Sequence, residues 1–195
     1  DASLLLVCQA GAIATGAVPL YLFGRKHLDS DWAAAGFALG YLLYPATQWL
    51  ALDDFHAVAL ATPLLLWGFW FLDEDRLVPF AVVALAACLT KEQIGVVVAA
   101  MGAWYMLRPG RRWAGGVIAV AGLAVTLLAF AFVIPHYSIS GSSRFEGRYG
   151  EIGGSPSGIL ETAVTDPGKI IAAVTHGRDV AYLAELLLPL LALPL

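Results

Sequence analysis

The sequence predicts an all-α, polytopic membrane protein, a bundle of transmembrane helices. Hydrophobic residues make up 59% of the 195 residues and charged residues only 13%, whereas a soluble domain has about 45–50% apolar and about 25% charged residues. The apolar residues form long runs, and most charged residues lie between them. The composition therefore predicts the lipid bilayer as a partner, and the lack of a basic stripe argues against nucleic acid.

Each apolar run is interpreted as one membrane segment, because a helix needs about 20 apolar residues to cross the hydrocarbon core. The second segment is expected to begin after Asp31 as a capping residue. In total the sequence predicts about seven segments, namely Ala2–Phe23, Trp32–Leu52, Ala57–Leu72, Leu77–Thr90, Ile94–Leu107, Ala114–Ile134 and one that starts at Ala181.

The stretch Leu77–Leu107 allows two interpretations. As a single helix it would be roughly 46 Å long at 1.5 Å per residue, and Lys91 and Glu92 would lie near the middle of the bilayer, at a cost of several kcal/mol. As two short helices, their connection would dip below the membrane surface and both charges would line a recess. We favour two short helices.

The late loop, residues 135–180, is the longest polar stretch and is predicted to lie outside the cytoplasm. Its first half is rich in Gly and Ser, and its second half contains two helix starts, Ser155-Pro156 and Asp166-Pro167, where a capping residue precedes a Pro. We expect short interfacial helices there. The whole chain, residues 1–195, is expected to form one integral membrane domain that contains this loop and is cut from a longer protein at both ends.

Successive membrane segments run in alternate directions, and this places the side chains that could do chemistry at the outer face. Basic residues favour the cytoplasmic side only weakly, by six to five. The turn Asp73–Arg76 falls on the inner side and is expected to be a solvated acidic turn. Cys8 and Cys88 lie inside apolar runs and are expected to be buried apolar residues rather than a disulfide or metal site.

Three groups at the outer face are candidates for chemistry. Asp54 and His56 could orient a hydroxyl or bind a divalent cation, although an i, i+2 pair is not a metal signature, and an ordinary turn capped by Asp54 is the alternative. Lys91 and Glu92 could meet an anion in the recess, or form a polar hairpin tip. Three residues of the late loop could close over an anionic or sugar ligand, or belong to a solvated loop, namely Arg144, Arg148 and Tyr149.

The same residues carry a family resemblance. The sequence resembles the multi-pass membrane proteins of the domain-of-unknown-function family 2079 over most of its length, although Ala57 stands where that family has a Pro. The matching motifs are YLLYP (Tyr41–Pro45), DFHA (Asp54–Ala57), LLW (Leu65–Trp67), KE (Lys91-Glu92), RYG (Arg148–Gly150) and Ser155-Pro156.

That family is in turn similar to the GT-C class of membrane glycosyltransferases. The resemblance implies a GT-C-like bundle in the prokaryotic cytoplasmic membrane that takes a sugar from a polyprenyl-phosphate carrier at the extracytoplasmic face, or an inactive relative of such an enzyme. It implies a catalytic base upstream of this chain, so no catalytic residue is assigned here. Lys91, Arg144, Arg148 and Tyr149 would serve the donor phosphate or sugar.

Two other functions stay open from the sequence. Helix-breaking residues inside apolar runs, Pro19, Pro45 and Pro63, occur in transporters and permeases, but no internal repeat is visible. A non-catalytic membrane scaffold is the third function. No cofactor is predicted, and a divalent metal at Asp54 and His56 stays an open alternative.

Overall fold

The computed structural model describes residues 2–137 and 156–174, and every regular element in these ranges is helical. The chain divides into two compact units, an N-terminal unit, Asp1–Ala129, and a C-terminal unit, Phe130–Leu195. Among the described residues, two helices are long and apolar enough to cross a membrane, Ser3–His27 and Arg112–Val133, and three shorter apolar helices accompany them. The predicted all-α class is therefore confirmed for the described residues, and the count of seven segments stays a prediction.

The first predicted segment is nearly continuous, and the second is broken. The first consists of α1, Ala2–Thr15, and α2, Ala17–His27. The second consists of α3, Asp31–Leu43, and α4, Pro45–Leu52. Pro45 lacks an N–H and holds Tyr44 in an extended conformation, so the helix must restart there. The predicted cap Asp31 is wrong, because Ser30 accepts the Ala33 amide at 3.3 Å.

The stretch Leu77–Leu107 forms two helices, as favoured. A short 3₁₀ turn, Ala57–Leu60, leads into α5, Ala61–Asp73, and then come α6, Leu77–Cys88, and α7, Ile94–Met106. The hairpin partner of α7 is α8, Arg112–Leu128. The apolar core lies between α5, α6 and α7, where Leu72, Phe80 and Tyr105 are buried.

The C-terminal unit contains the rest of the described chain. A π-helical turn, Ala129–Val133, runs across the unit boundary into α9, Ile134–Tyr137. Both predicted interfacial helices begin at their Pro, as α10, Pro156–Thr165, and α11, Pro167–Val174. The predicted seventh segment from Ala181 lies outside the described residues.

Close backbone contact joins α7 to α8. A Cβ added to Gly115 would lie 2.6 Å from the Gly102 carbonyl oxygen, and one added to Gly122 would lie 2.5 Å from the Gly95 carbonyl oxygen. Small residues at such positions let helices approach closely, which is how helices associate where lipid removes the hydrophobic driving force. Large apolar side chains such as Val7, Val82 and Val120 are exposed on the outside of the unit instead, as a bilayer environment favours.

One buried carboxylate joins three turns at one end of the N-terminal unit, which we call the Asp73 end. The Asp73 side chain is 0% exposed and lies 2.7 Å from Lys26 Nζ and 2.9 Å from His27 Nε2. The Arg108 guanidinium pairs with its other oxygen. The Asp73 carbonyl oxygen also accepts from Lys26 at 3.0 Å and from Arg108 at 2.9 Å. The expectation of a solvated acidic turn is therefore wrong for Asp73, because cations from two other turns surround it.

Asp75 adds a second link between the same turns. Its backbone φ of 57° lies in the left-handed region, which Asp tolerates better than most side chains. The Tyr105 hydroxyl donates to Asp75 Oδ1 at 2.7 Å, and Arg111 Nη2 lies 2.7 Å from Oδ2. These two donors hold the pKa of the Asp75 carboxyl below its usual range, so the link persists at neutral pH.

Replacing Asp73 by Asn should destabilise the protein strongly. The change keeps the size of the side chain but leaves Lys26 and Arg108 without a buried counter-charge, which we expect to cost about 2–3 kcal/mol. Unfolding in mixed detergent micelles measures the loss. Glu74→Gln is the matched control, because Glu74 shares Lys26 but is 35% exposed, and it should cost less than about 1 kcal/mol. Equal losses in the two variants would contradict the role of Asp73.

Adjacent glycines on α8 give a second matched test. Gly115→Ala forces a methyl group against the α7 backbone and should destabilise by about 1–3 kcal/mol. Nothing lies within 4 Å of a Cβ added to Gly116, so Gly116→Ala should be neutral or stabilise by up to about 1 kcal/mol. The same unfolding measurement compares them. A stable Gly115→Ala protein would show that α7 and α8 do not pack through their backbones.

Candidate functional site

The candidate residues Asp54 and His56 lie in the turn between α4 and α5, at the end of the N-terminal unit opposite the Asp73 end. We call this the Asp54 end. The chain alternates in direction along α5, α6 and α7, so the Lys91-Glu92 turn falls at the same end. The structure thus places Asp54, His56, Lys91 and Glu92 on one side of the unit, as the crossing count predicts.

Gln9 of α1 holds the Asp54 turn in place. Its side chain is fully buried. Its Nε2 donates to the Leu50 carbonyl oxygen at 2.9 Å and to that of Asp53 at 3.4 Å, and its Oε1 accepts the His56 amide at 3.0 Å. A buried amide without partners costs about 1–3 kcal/mol. The Gln9 side chain and the backbone of the turn therefore satisfy each other's hydrogen-bonding groups. These bonds fix the backbone of the turn on both sides of Asp54.

The imidazole of His56 has a defined orientation. Its Nδ1 lies 2.6 Å from the Asp54 carbonyl oxygen. A carbonyl oxygen only accepts hydrogen bonds, so we infer that Nδ1 carries the proton. In the neutral ring Nε2 then has the lone pair, as a proton acceptor or metal ligand requires. Asp53 is engaged locally, because its Oδ1 accepts the Asp54 amide at 2.9 Å.

Asp54 does not cap the following helix. The residue before the 3₁₀ turn is His56, and no side chain caps it there. Asp54 itself is exposed, and its carboxylate makes no ion pair within the described ranges 2–137 and 156–174. The alternative of a capped turn is therefore wrong, and the exposed carboxylate is open to a ligand or to water.

The helix that leads to the Lys91-Glu92 turn, α6, is shorter than the helical stretch that follows the Asp54 turn. The 12 residues of α6 rise about 18 Å, while the 17 residues of Ala57–Asp73 rise about 27 Å, and both end at the turn that contains Glu74. α6 therefore stops short of the level where Ala57 begins. The Thr126 hydroxyl donates to the Glu92 carbonyl oxygen at 3.0 Å and attaches this turn to α8. This difference in length is compatible with the recess expected from two short helices, which stays a prediction.

Lys91 is the exposed cation of this turn. It makes no ion pair with any residue that the structure describes, and Glu92 is partly buried. No hydrogen bond recorded among the described residues joins either of them to Asp54 or His56. The Asp54 end thus carries two separate polar groups, an oriented imidazole with a carboxylate, and an exposed cation.

The remaining candidates lie outside the described residues, namely Arg144, Arg148 and Tyr149. Within the described ranges, no group of three His, Cys, Asp or Glu side chains could hold a metal ion. Asp54 and His56 would supply two ligands at most. Cys8 is exposed rather than buried, because it lies on the outward side of α1, where a bilayer would cover it.

Gln9 is the residue that sequence reasoning missed. It is the one amide side chain in the mainly apolar α1, and a polar side chain within a membrane helix must find partners. That signal could have singled out Gln9 from the sequence. It could not have named the partners, since they lie more than 40 residues away along the chain.

Replacing Gln9 by Met should loosen the Asp54 turn without removing any side chain from it. The Leu50 and Asp53 carbonyls and the His56 amide lose their buried partner, at about 1–3 kcal/mol. Hydrogen exchange of the His56 amide should accelerate about tenfold or more. Thr15→Val is the control, because Thr15 bonds only within its own helix, to the Ala12 carbonyl at 2.6 Å. Unchanged exchange in Gln9→Met would show that the turn is held by other contacts.

Comparison with known proteins agrees with the architecture. The family model described as "Predicted membrane protein (DUF2079)" matches residues 2–195. A search of curated proteins and a search of solved structures each return no significant match. Since this family model matches nearly the whole chain, the protein belongs to the DUF2079 family of predicted membrane proteins.

Proposed function

We propose that this protein is a GT-C-like membrane glycosyltransferase, or an inactive relative of one, that uses a polyprenyl-phosphate-linked sugar at the extracytoplasmic face. The observation that supports this most is the Asp54 end. There an oriented imidazole and an exposed carboxylate share one end of the unit with an exposed cation, Lys91. A sugar attached through phosphate to a lipid presents hydroxyl groups and an anion, and these are the partners that the two polar groups suit.

The proposed reaction transfers a sugar to an acceptor hydroxyl. The acceptor oxygen attacks the anomeric carbon, the bond from that carbon to the phosphate oxygen breaks, and the polyprenyl phosphate leaves with the bond electrons. Lys91 would offset the negative charge of the leaving phosphate. Asp54 and His56 would orient the sugar or the acceptor. A general base would take the hydroxyl proton, and Arg144, Arg148 and Tyr149 would cover the donor.

The distribution of basic residues supports the orientation. Within residues 2–129, six Lys and Arg residues belong to the Asp73 end or its turns and only Lys91 belongs to the Asp54 end, while the four basic residues of the late loop reduce the overall excess to six against five. Cytoplasmic loops carry the excess of basic residues in multi-pass proteins, and acidic residues influence orientation little. We therefore assign the Asp73 end to the cytoplasm and the Asp54 end to the outside of the prokaryotic cytoplasmic membrane.

A binding experiment tests the phosphate role of Lys91. The full-length protein in detergent micelles is titrated with a polyprenyl-phosphate-linked hexose, and Lys91→Ala should raise the Kd about tenfold, the loss of one charge-assisted contact. Arg76→Ala is the control, because Arg76 is an exposed cation at the Asp73 end, and its Kd should not change.

Two outcomes would contradict the proposal. If the wild-type protein does not bind the polyprenyl-phosphate-linked hexose, that donor is ruled out. If the wild-type protein and Lys91→Ala bind it with equal affinity, the phosphate role of Lys91 is ruled out. The orientation is tested separately by single cysteines in a background without Cys8 and Cys88. Asp54→Cys should react with a thiol reagent from the outside, and Asp29→Cys, in the turn between α2 and α3 at the Asp73 end, should react from the cytoplasm. If Asp54→Cys reacts with a thiol reagent from the cytoplasmic side, the extracytoplasmic site is wrong.

A transporter or permease is the second candidate, and the broken helices favour it. α3 and α4 are interrupted at Tyr44-Pro45, and α6 and α7 have only 12 and 13 residues. Transporters use such interrupted helices to line substrate sites. Movement of a polyprenyl-phosphate sugar or a free sugar across protein-containing vesicles, without formation of a new glycosidic bond, would favour this candidate over the enzyme.

A further inference from the structure

Three tryptophans of the N-terminal unit are largely exposed on its outer surface. Trp32 is 89% exposed, Trp49 is 76% exposed and Trp113 is 91% exposed. No hydrogen bond among the described residues uses the indole N–H of any of the three. An indole has a large apolar ring, which is stabilised by leaving water, and a polar N–H, which hydrocarbon leaves unpaired. Both groups are accommodated where lipid headgroups border the hydrocarbon, and tryptophans are enriched at that level.

The three tryptophans lie at the two opposite ends of the unit. Trp32 is the second residue of α3 and Trp113 is the second residue of α8, and both helices begin at the Asp73 end. Trp49 lies in α4, which ends at Leu52 and leads into the Asp54 turn. The chain runs from one end to the other through α3 and α4, so Trp49 lies opposite the other two.

The spacing of the two levels matches the hydrocarbon core of a bilayer. Trp32 and Trp49 are 17 positions apart, which corresponds to a rise of about 26 Å in a helix, against about 30 Å for the hydrocarbon core. None of residues 33–48 is charged, whereas Asp31 directly precedes Trp32 and Asp53 follows α4. The charged side chains therefore lie outside the two tryptophans, and only uncharged side chains lie between them.

We propose that the indoles of Trp32 and Trp113 contact the lipid headgroups of one leaflet and that the indole of Trp49 contacts those of the other. α3 and α4 then cross the bilayer as one segment, in spite of the break at Pro45. The Asp54 turn follows α4 and lies at the headgroup level. The proposal does not depend on the proposed glycosyl transfer, because it follows from the exposure and spacing of the tryptophans.

Quenching of tryptophan fluorescence by nitroxide lipids tests these contacts. The full-length protein is inserted in one orientation into phosphatidylcholine vesicles, with the nitroxide either on the lipid headgroup or at the end of an acyl chain. The contribution of each tryptophan is the difference between the wild-type protein and its Trp→Phe variant. The headgroup nitroxide should quench Trp32, Trp49 and Trp113 about threefold more than the chain-end nitroxide, because the two nitroxides differ in depth by roughly half of the hydrocarbon core.

Trp67 is the matched control, because it lies within α5, Ala61–Asp73, away from both ends of the helix. It should be quenched more by the chain-end nitroxide. Ascorbate added outside the vesicles reduces only the headgroup nitroxides of the outer leaflet. It should therefore restore the fluorescence either of Trp49 alone or of Trp32 and Trp113 together.

Three results would overturn the proposal. If neither nitroxide quenches the three exposed tryptophans, another protein surface such as a second copy of the chain covers them. If the chain-end nitroxide quenches Trp49 more than the headgroup nitroxide does, α3 and α4 do not end at the bilayer surface. If ascorbate restores Trp32, Trp49 and Trp113 equally, all three lie in one leaflet.

Discussion

The buried Asp73 carboxylate is the interaction on which the N-terminal unit depends. It lies at the last residue of α5, and its cationic partners come from the end of α2 and from the turn between α7 and α8. A charge taken out of water is tolerated only when it is paired and hydrogen-bonded on several sides. The three turns must therefore meet in one arrangement, which sets the positions of α2, α5 and α7 at this end.

The two ends of the unit are fastened by different means. At the Asp73 end, ion pairs join turns, while glycine contacts join α7 to α8 along the length of their hairpin. At the Asp54 end, a neutral amide, Gln9, satisfies three backbone groups of one turn. Because that end needs no internal ion pairs, its charged side chains are left to interact with ligands. This difference between the two ends is the physical reason for placing the candidate site at the Asp54 end.

The Asp73 network also borders an apolar cavity between α2, α3 and α5. His27 both lines this cavity and bonds Asp73 at 2.9 Å. The cavity and the candidate site therefore lie at different places along the unit.

The sequence by itself determined the helical class, the breaks between apolar runs, and the starts of the helices at Pro156 and Pro167, because composition and capping are local properties. It also favoured two helices over Leu77–Leu107, since one helix would bury two charges in hydrocarbon, and the structure shows the two helices. Only the tertiary structure decided the partners of Asp73, Gln9 and His56. Those contacts join residues 35 to 47 positions apart, and no periodicity or spacing encodes which distant turns come together. The acidic turn that looked solvated is therefore the centre of the fold, and the lone Gln of α1 is the support of the candidate site.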